Sequence, residues 1–389
     1  MKPWFDLIPE DEMIDWRRHI HENPELSFKE YNTSDFVEEK LKSFGNIEIQ
    51  RPTKTSVLGI LKGDNAGKTI LLRADMDALP MQEELDLPFK SKVDGVAHTC
   101  GHDTHTAMLL ASAKVLSKLK GDIYGTVKFI FQHAEELNPG GAREIVASGL
   151  IDDVDAVVGL HIMTNLKTGS INIHLDGAAT TAADGFFLDI IGKGSHGSMP
   201  QNGIDPIIIG VQIINQLQTI VSRDVTPGEL AVISIGEFKS GDAPNIIPEK
   251  AYMSASVRTI TEETRAMTKN KIKSIIDGIC KIHGATYNLN YVDSYPAVIN
   301  DKQLSQLVFD SAKEALGEEF VNEISISSAS EDFAYYRKIA PICFMQLGGG
   351  LAEDGFGFAN HNPKFNIDED SFLNGVKAEV QSVLNFLKE

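Results

Sequence analysis

The sequence predicts an α/β fold: a mainly parallel sheet with a smaller, ferredoxin-like α+β domain inserted into it. Three observations carry the prediction. The apolar runs SVLGILKG, KTILLRADMDALP, TVKFIFQHAEE and DAVVGLHI alternate with helix-patterned stretches, which is the signature of βαβ units. From about residue 180 the order becomes strand–helix–strand–strand–helix–strand, that of a ferredoxin-like unit. Past about Tyr295, SQLVFDSAKEAL and ICFMQLGG return to helix and strand and can complete the first domain. The expected division is therefore residues 1–180 with 295–389, and an insertion of residues 181–294.

The segment from about Pro9 to Arg18 reads as helix, and SDFVEEKLKSF places apolar residues at helical spacing. KTILLRADMDALP is a strand running into Asp75 and Asp77, and HTCGHDTHTAMLLASAKVLSKLK is a loop feeding a long helix. TVKFIFQHAEE is a strand ending in polar groups, followed by PGGA, which reads as a turn. DAVVGLHI is a further strand. In the insertion, GFFLDIIGKGSHGSMP is a strand and a glycine-rich turn, and a helix starts near Pro206, a favoured first helical position. ELAVISIGEF and KAYMSASVRTI are strands, TRAMTKNKIKSIIDGICKI a helix, and ATYNLNYVDS a last strand.

At 389 residues the chain can bury a sizeable core. Its net charge of −19 disfavours a nucleic-acid backbone or an anionic membrane surface as partner. Cys100, Cys280 and Cys343 are too few and scattered for a disulfide framework and suit a reducing compartment. The first residues set acidic groups and prolines where a signal peptide needs an apolar core, and no stretch approaches a membrane-spanning length. A cytoplasmic protein is expected.

Chemistry-bearing residues gather where strands end. Cys100 and His102 flank a glycine in HTCGHDTH, Glu135 and Glu136 end FQHAEE, His161 lies in VVGLHI and His361 in NHNPKF. Thiolate, imidazole and carboxylate are the donors that hold zinc and its first-row neighbours. Asp75, Glu135–Glu136 and His161 each sit just past an expected strand, where parallel sheets gather their ligands. One of two adjacent glutamates can ligate a metal while the other moves a proton. Asp75, Asp77 and Asp103 are candidates to orient a ligand imidazole. His105 falls within the helix, where it can pack or hydrogen-bond, and His19, His21, His174 and His283 read as structural. The run from Gly192 to Gly197 fits G-x-G-x-x-G, but Pro200 interrupts the helix that should follow and no acidic residue stands where a ribose would need one. His196, on that glycine turn, better suits a donor to a developing oxyanion.

Nine segments in order, RRHIHENPELSFKE, RADMDALPM, HTCGHDTHTAMLL, FQHAEELNPGGA, GLHI, GKGSHGSMPQNGIDPI, NIIPEKAYMSASVRT, ASEDFAYY and HNPKF, carry a resemblance. The chain resembles the metal-dependent aminoacylase and carboxypeptidase superfamily, in the branch of hippurate hydrolases, N-acyl-amino-acid deacetylases and auxin-conjugate hydrolases. The resemblance implies two divalent ions held by Cys100, His102, Glu136, His161 and His361, with Glu135 as general base. It implies that the insertion is a lid and dimerisation domain whose His196 steadies the tetrahedral intermediate, with Asn245 and Arg258 near substrate, and that the protein is a homodimer. Glu331 and Asp332, in SEDF, match a family motif at the edge of the active site. Leu137-Asn138-Pro139 stands where many relatives carry a glycine after the two glutamates, which reshapes the expected substrate pocket. The implied reaction is hydrolysis of an N-acyl amino acid. The rivals are a dipeptidase or carboxypeptidase with the same site, and a non-enzymatic metal-binding protein, against which the spare glutamate argues. Zinc, manganese, cobalt and nickel all accept such a donor set.

Overall fold

A computed structural model describes residues 2–388. It divides into two compact units: one built from the chain up to Ala179, Ile299–Ile326 and the chain from Asp332 onward, the other from Thr180–Val298 and Ser327–Glu331.

In chain order the first unit contributes α1 (Glu10–Glu22), α2 (Tyr31–Phe44), β1 (Ile47–Gln50), β2 (Val57–Lys62), β3 (Asn65–Asp75), α3 (His102–Lys118), β4 (Tyr124–Gln132), α4 (Gly141–Ala147), β5 (Ala156–Met163) and β6 (Ile171–Ile173). The second contributes β7 (Ala182–Ile191), α5 (Pro206–Thr219), β8 (Ala231–Ser240), β9 (Lys250–Thr259), α6 (Glu262–His283) and β10 (Thr286–Val292). The chain then adds α7 (Lys302–Leu316), β11 (Val321–Glu323), β12 (Ile342–Gly348) and α8 (Phe372–Phe386) to the first unit.

Among the described residues the first unit holds an eight-stranded sheet in the order β1-β2-β4-β3-β5-β12-β6-β11. Its centre is parallel, β3 lying between β4 and β5, and β12 running parallel to β5. The strands β3 to β5 read as near-continuous apolar runs because both faces are covered. Helix α3 is buried along nearly its whole length, packed among Leu72, Phe129, Leu160 and the α8 residues Val376 and Val380. α1 buries Met13, Trp16 and Ile20 at helical spacing, and α2 buries Val37 and Leu41.

The second unit is an antiparallel sheet in the order β8-β9-β7-β10. Its helices cover one face, closing a separate core around Phe186, Ile190, Ile213, Met253 and Ile276. Asp205 caps α5 by accepting from the amides of Ile207 and Ile208, and Pro206 holds the first helical position. Thr261 caps α6, which stops at Gly284 with φ +70°.

Three differences from the sequence reading stand out. The short strands β1, β6 and β11 are too brief to show an apolar period. PGGA is not only a turn: α4 begins at its second glycine, Gly141. Ser327–Glu331 group with the second unit although they lie beyond residue 295.

Candidate active site

The parallel strands end side by side, and that register builds the site. Asp75, the last residue of β3, pairs with Gln132, the last residue of β4, and His161 lies two residues before the end of β5. The α3 N-terminus carries Cys100-Gly101-His102 to the same edge. Gly101 has φ +93°, and a Cβ there would lie 2.4 Å from Ile162 Cγ2, so glycine alone lets Cys100 and His102 turn inward together. His361 arrives from the C-terminal segment, its amide donating to the Thr99 carbonyl at 2.8 Å.

Five of the expected ligands converge. Cys100 Sγ lies 3.4 Å from His161 Nε2, and His361 Nε2 lies 3.0 Å from Glu136 Oε1. His102 Nε2 stands 3.8 Å from the same glutamate oxygen. The donor atoms of Cys100, His102 and His161 all lie within 4.8 Å of one another, and so do those of Cys100, Glu136 and His361. The two sets share the cysteine. Glu135, buried beside Glu136, forms a third such set with His102 and Glu136.

The imidazoles are oriented through their other nitrogens. His161 Nδ1 donates to the Ile162 carbonyl at 2.7 Å and His102 Nδ1 faces Asp77 Oδ1 at 3.3 Å, so each ring turns its Nε2 into the pocket. His105 is different. Its Nδ1 donates to Asp75 Oδ1 at 2.6 Å and its Nε2 accepts from the Ile162 amide at 2.8 Å. Both nitrogens are spent, and His105 serves to hold β5 against α3.

Electrostatics fit a cation. Buried His102 Nε2 and Glu136 Oε1 have no hydrogen-bond partner among the described groups, a costly state unless an ion meets them. Burial alone would discharge His102, yet Asp75, Asp77 and Glu136 outweigh it and raise its pKa to about 10. Burial, reinforced by Glu136, Glu135 and Asp75, pushes the Cys100 thiol well up. A thiolate there requires a compensating positive charge. Burial, with His105 next to it, holds His161 neutral, as a ligand must be.

Asp77 faces His102 Nδ1 and also holds the turn that follows β4. Its oxygens accept from the amides of Glu135 and Glu136, both at 3.0 Å, and from the Ser27 hydroxyl at 2.6 Å. Asp75 orients His105 and accepts from Arg73 at 2.6 Å; it stands 3.6 Å from His102 Nε2. Asp103 is a correction. It accepts from Arg17 Nε at 2.9 Å and meets His21 Nδ1 at 2.7 Å, and it orients no ligand imidazole. Successive helix residues point about 100° apart, so with His102 facing the site Asp103 faces α1.

Asp332 lies under the site, taking Arg73, Gln132 and the Ala142 amide. Asn360 was missed. Its amide donates to the carbonyls of Cys100 at 3.0 Å and Ile162 at 3.2 Å, tying together the three segments that carry Cys100, His161 and His361. Its only sequence signal is its place beside His361. His196, Asn245 and Arg258 lie in the second unit. His196 is exposed, and its Nδ1 accepts from the Ser198 amide at 3.2 Å.

The chain is matched over residues 71–385 by the model of peptidase family M20/M25/M40. It is 49% identical to the N-acyl-L-amino acid amidohydrolase of Geobacillus stearothermophilus over 289 residues, 74% of this chain and 78% of that one. It is 40% identical to thermostable carboxypeptidase 2 of Saccharolobus solfataricus, over 97% of this chain and 96% of the relative. Its fold matches the crystal structure of a dinuclear metal-binding M20 peptidase from Bacillus subtilis with TM-score 0.82, at 33% identity over 97% and 98% of the two chains. With this donor set and that match over most of its length, the chain belongs to peptidase family M20/M25/M40 and is a metal-dependent amidohydrolase.

Proposed function

We propose that the protein hydrolyses N-acyl-L-amino acids to a carboxylate and a free amino acid, using two divalent ions held by Cys100, His102, Glu136, His161 and His361. The observation that carries this reading is the spare carboxylate. Glu135 is buried beside Glu136 and within 4.8 Å of His102 by its donor atom. Bound ions would supply Lewis acidity toward the amide carbonyl and ease the deprotonation of water. Glu135 then takes the proton from the attacking water and returns it to the departing amine nitrogen. His196 donates to the oxyanion; because its Nδ1 accepts from the Ser198 amide, the neutral ring carries its proton on Nε2. Arg258 and Asn245 bind the substrate carboxylate end, and the buried Arg258 Nη1, without a hydrogen-bond partner among the described groups, supports that role.

The second unit acts in this proposal as lid and dimerisation domain, and the protein is a cytoplasmic homodimer. The open edge strand β8 and exposed Ile208 and Val211 on α5 support self-association. Three free cysteines support a reducing compartment, and no helix among the described residues is long and apolar enough to cross a membrane. Zinc or manganese is the proposed metal, with cobalt and nickel as substitutes.

The test is Glu135→Gln on metal-loaded protein with N-acetyl and N-benzoyl amino acids as substrates. Turnover should fall by about three orders of magnitude or more while metal content persists; a Gln variant that keeps most of its activity removes Glu135 from the role. A second reading is carboxypeptidase action on peptides, favoured by the 40% identity to the S. solfataricus carboxypeptidase. A dipeptide in the same panel separates the two.

A further inference from the structure

Between the end of β4 and the catalytic pair the backbone makes a turn that it would not adopt unaided. Ala134 has φ +49°, a left-handed conformation costly for any residue with a Cβ. Three successive amides of this turn each donate to a carboxylate. Those of Glu135 and Glu136 go to Asp77 at 3.0 Å each, and that of Ala134 goes to Glu30 Oε1 at 2.8 Å. The same Glu30 oxygen accepts from the amide of Phe28, at 2.9 Å, another non-glycine residue in the left-handed region with φ +65°. Glu30 is fully buried at the start of α2, 104 residues from the turn it holds.

We propose that Glu30 is a positioning residue for hydrolysis, its carboxylate fixing the Ala134 amide so that Glu135 is presented to the water it deprotonates. The proposal rests on the reading of Glu135 as the base. Asp77 fixes the two amides that follow Ala134, and without Glu30 the strained residue that sets the direction of the turn loses the partner of its amide, keeping only the bond its carbonyl accepts from the Gly141 amide at 3.0 Å. Relaxation of Ala134 toward an ordinary φ would swing Glu135, and displacements near 1 Å at a reacting group cost orders of magnitude in rate. A glutamine at position 30 keeps an oxygen to accept both amides. An aspartate keeps the charge but is one methylene too short to reach both.

The test compares Glu30→Gln and Glu30→Asp in the metal-loaded protein, with wild type as reference, on an N-acyl amino acid that the wild type hydrolyses. Three quantities are read: steady-state kinetics, bound metal per chain, and amide hydrogen exchange of the peptide spanning Ala134–Glu136. E30D should lose about tenfold or more in kcat with KM and metal content little changed, and exchange at the turn should rise about tenfold or more; E30Q should stay within roughly threefold of wild type in both. Wild-type kcat in folded E30D, or faster exchange with no loss of kcat, overturns the proposal. So does a kcat loss in E30Q equal to that in E30D, since a glutamine that still accepts both amides should preserve the clamp. If the wild type hydrolyses none of the acyl amino acids, the substrate reading fails, while exchange in E30D still decides whether Glu30 holds the turn.

Discussion

Asp77 concentrates four interactions on two oxygens: the amides of Glu135 and Glu136, the Ser27 hydroxyl and the Nδ1 face of His102. Asp77→Ala should therefore lower both metal affinity and turnover, by about 10- to 100-fold in affinity; metal titration with kinetics checks this, and unchanged affinity would separate Asp77 from His102. Glu379 is a second residue with a clear consequence. Burial against α3 raises its carboxyl to about 7, although the Ser112 hydroxyl donates to it at 2.5 Å. The native state binds this proton more tightly than the unfolded chain does, so stability falls as pH rises from the ordinary carboxylate range through about 7. Glu379→Gln should remove a pH dependence of roughly 3 kcal/mol, seen as a smaller difference in denaturation midpoint between pH 5 and pH 8. Parallel curves for the two proteins would show that the proton is not linked to folding.

At the scale of elements, the Cys100-Gly101-His102 junction is the most exposed to change. Gly101→Ala places a Cβ at φ +93° and against Ile162, whose amide and carbonyl hold His105 and His161. The backbone penalty alone is about 1–2 kcal/mol. The variant should melt earlier and bind less metal, and a wild-type melting curve with full metal would mean the junction relaxes elsewhere. This junction was readable in the sequence because a glycine between two donors in front of a helical run has one economical use. The strand ends carrying Asp75 and His161 were readable for a similar reason, since long apolar strands declare their length. Asp103 was not: its partners, Arg17 and His21, belong to a helix far away in sequence, and no local pattern announces which helix face meets another. Glu30 was invisible as well, because its partner is a backbone amide, and every residue but proline has one.

For the whole molecule, the pocket gathers carboxylates, a thiol held protonated and buried imidazoles around a space that suits positive charge. Removing metal should destabilise the first unit as well as stop hydrolysis. Dialysis against a chelator should lower Tm by on the order of 5 °C or more, with activity and Tm both returning on addition of manganese or zinc. A chelated protein that melts at the original temperature would show the acidic cavity to be stable without a cation. The division into two units was legible as a change in element order near residue 180, whereas the return of Ser327–Glu331 to the second unit was not, because five residues carry no periodicity.

Asn360 and His361 complete a pocket whose other donors, Cys100, His102, Glu135, Glu136 and His161, all come earlier in the chain. During synthesis, a ribosome must deliver nearly the entire polypeptide, the intervening insertion included, before the last imidazole can reach Glu136. The site proposed for two ions is therefore complete only in a nearly finished chain. Which cation is taken up then depends on the free pools a completed protein meets, so two cultures grown on different trace elements should yield the same fold with different metal occupancy.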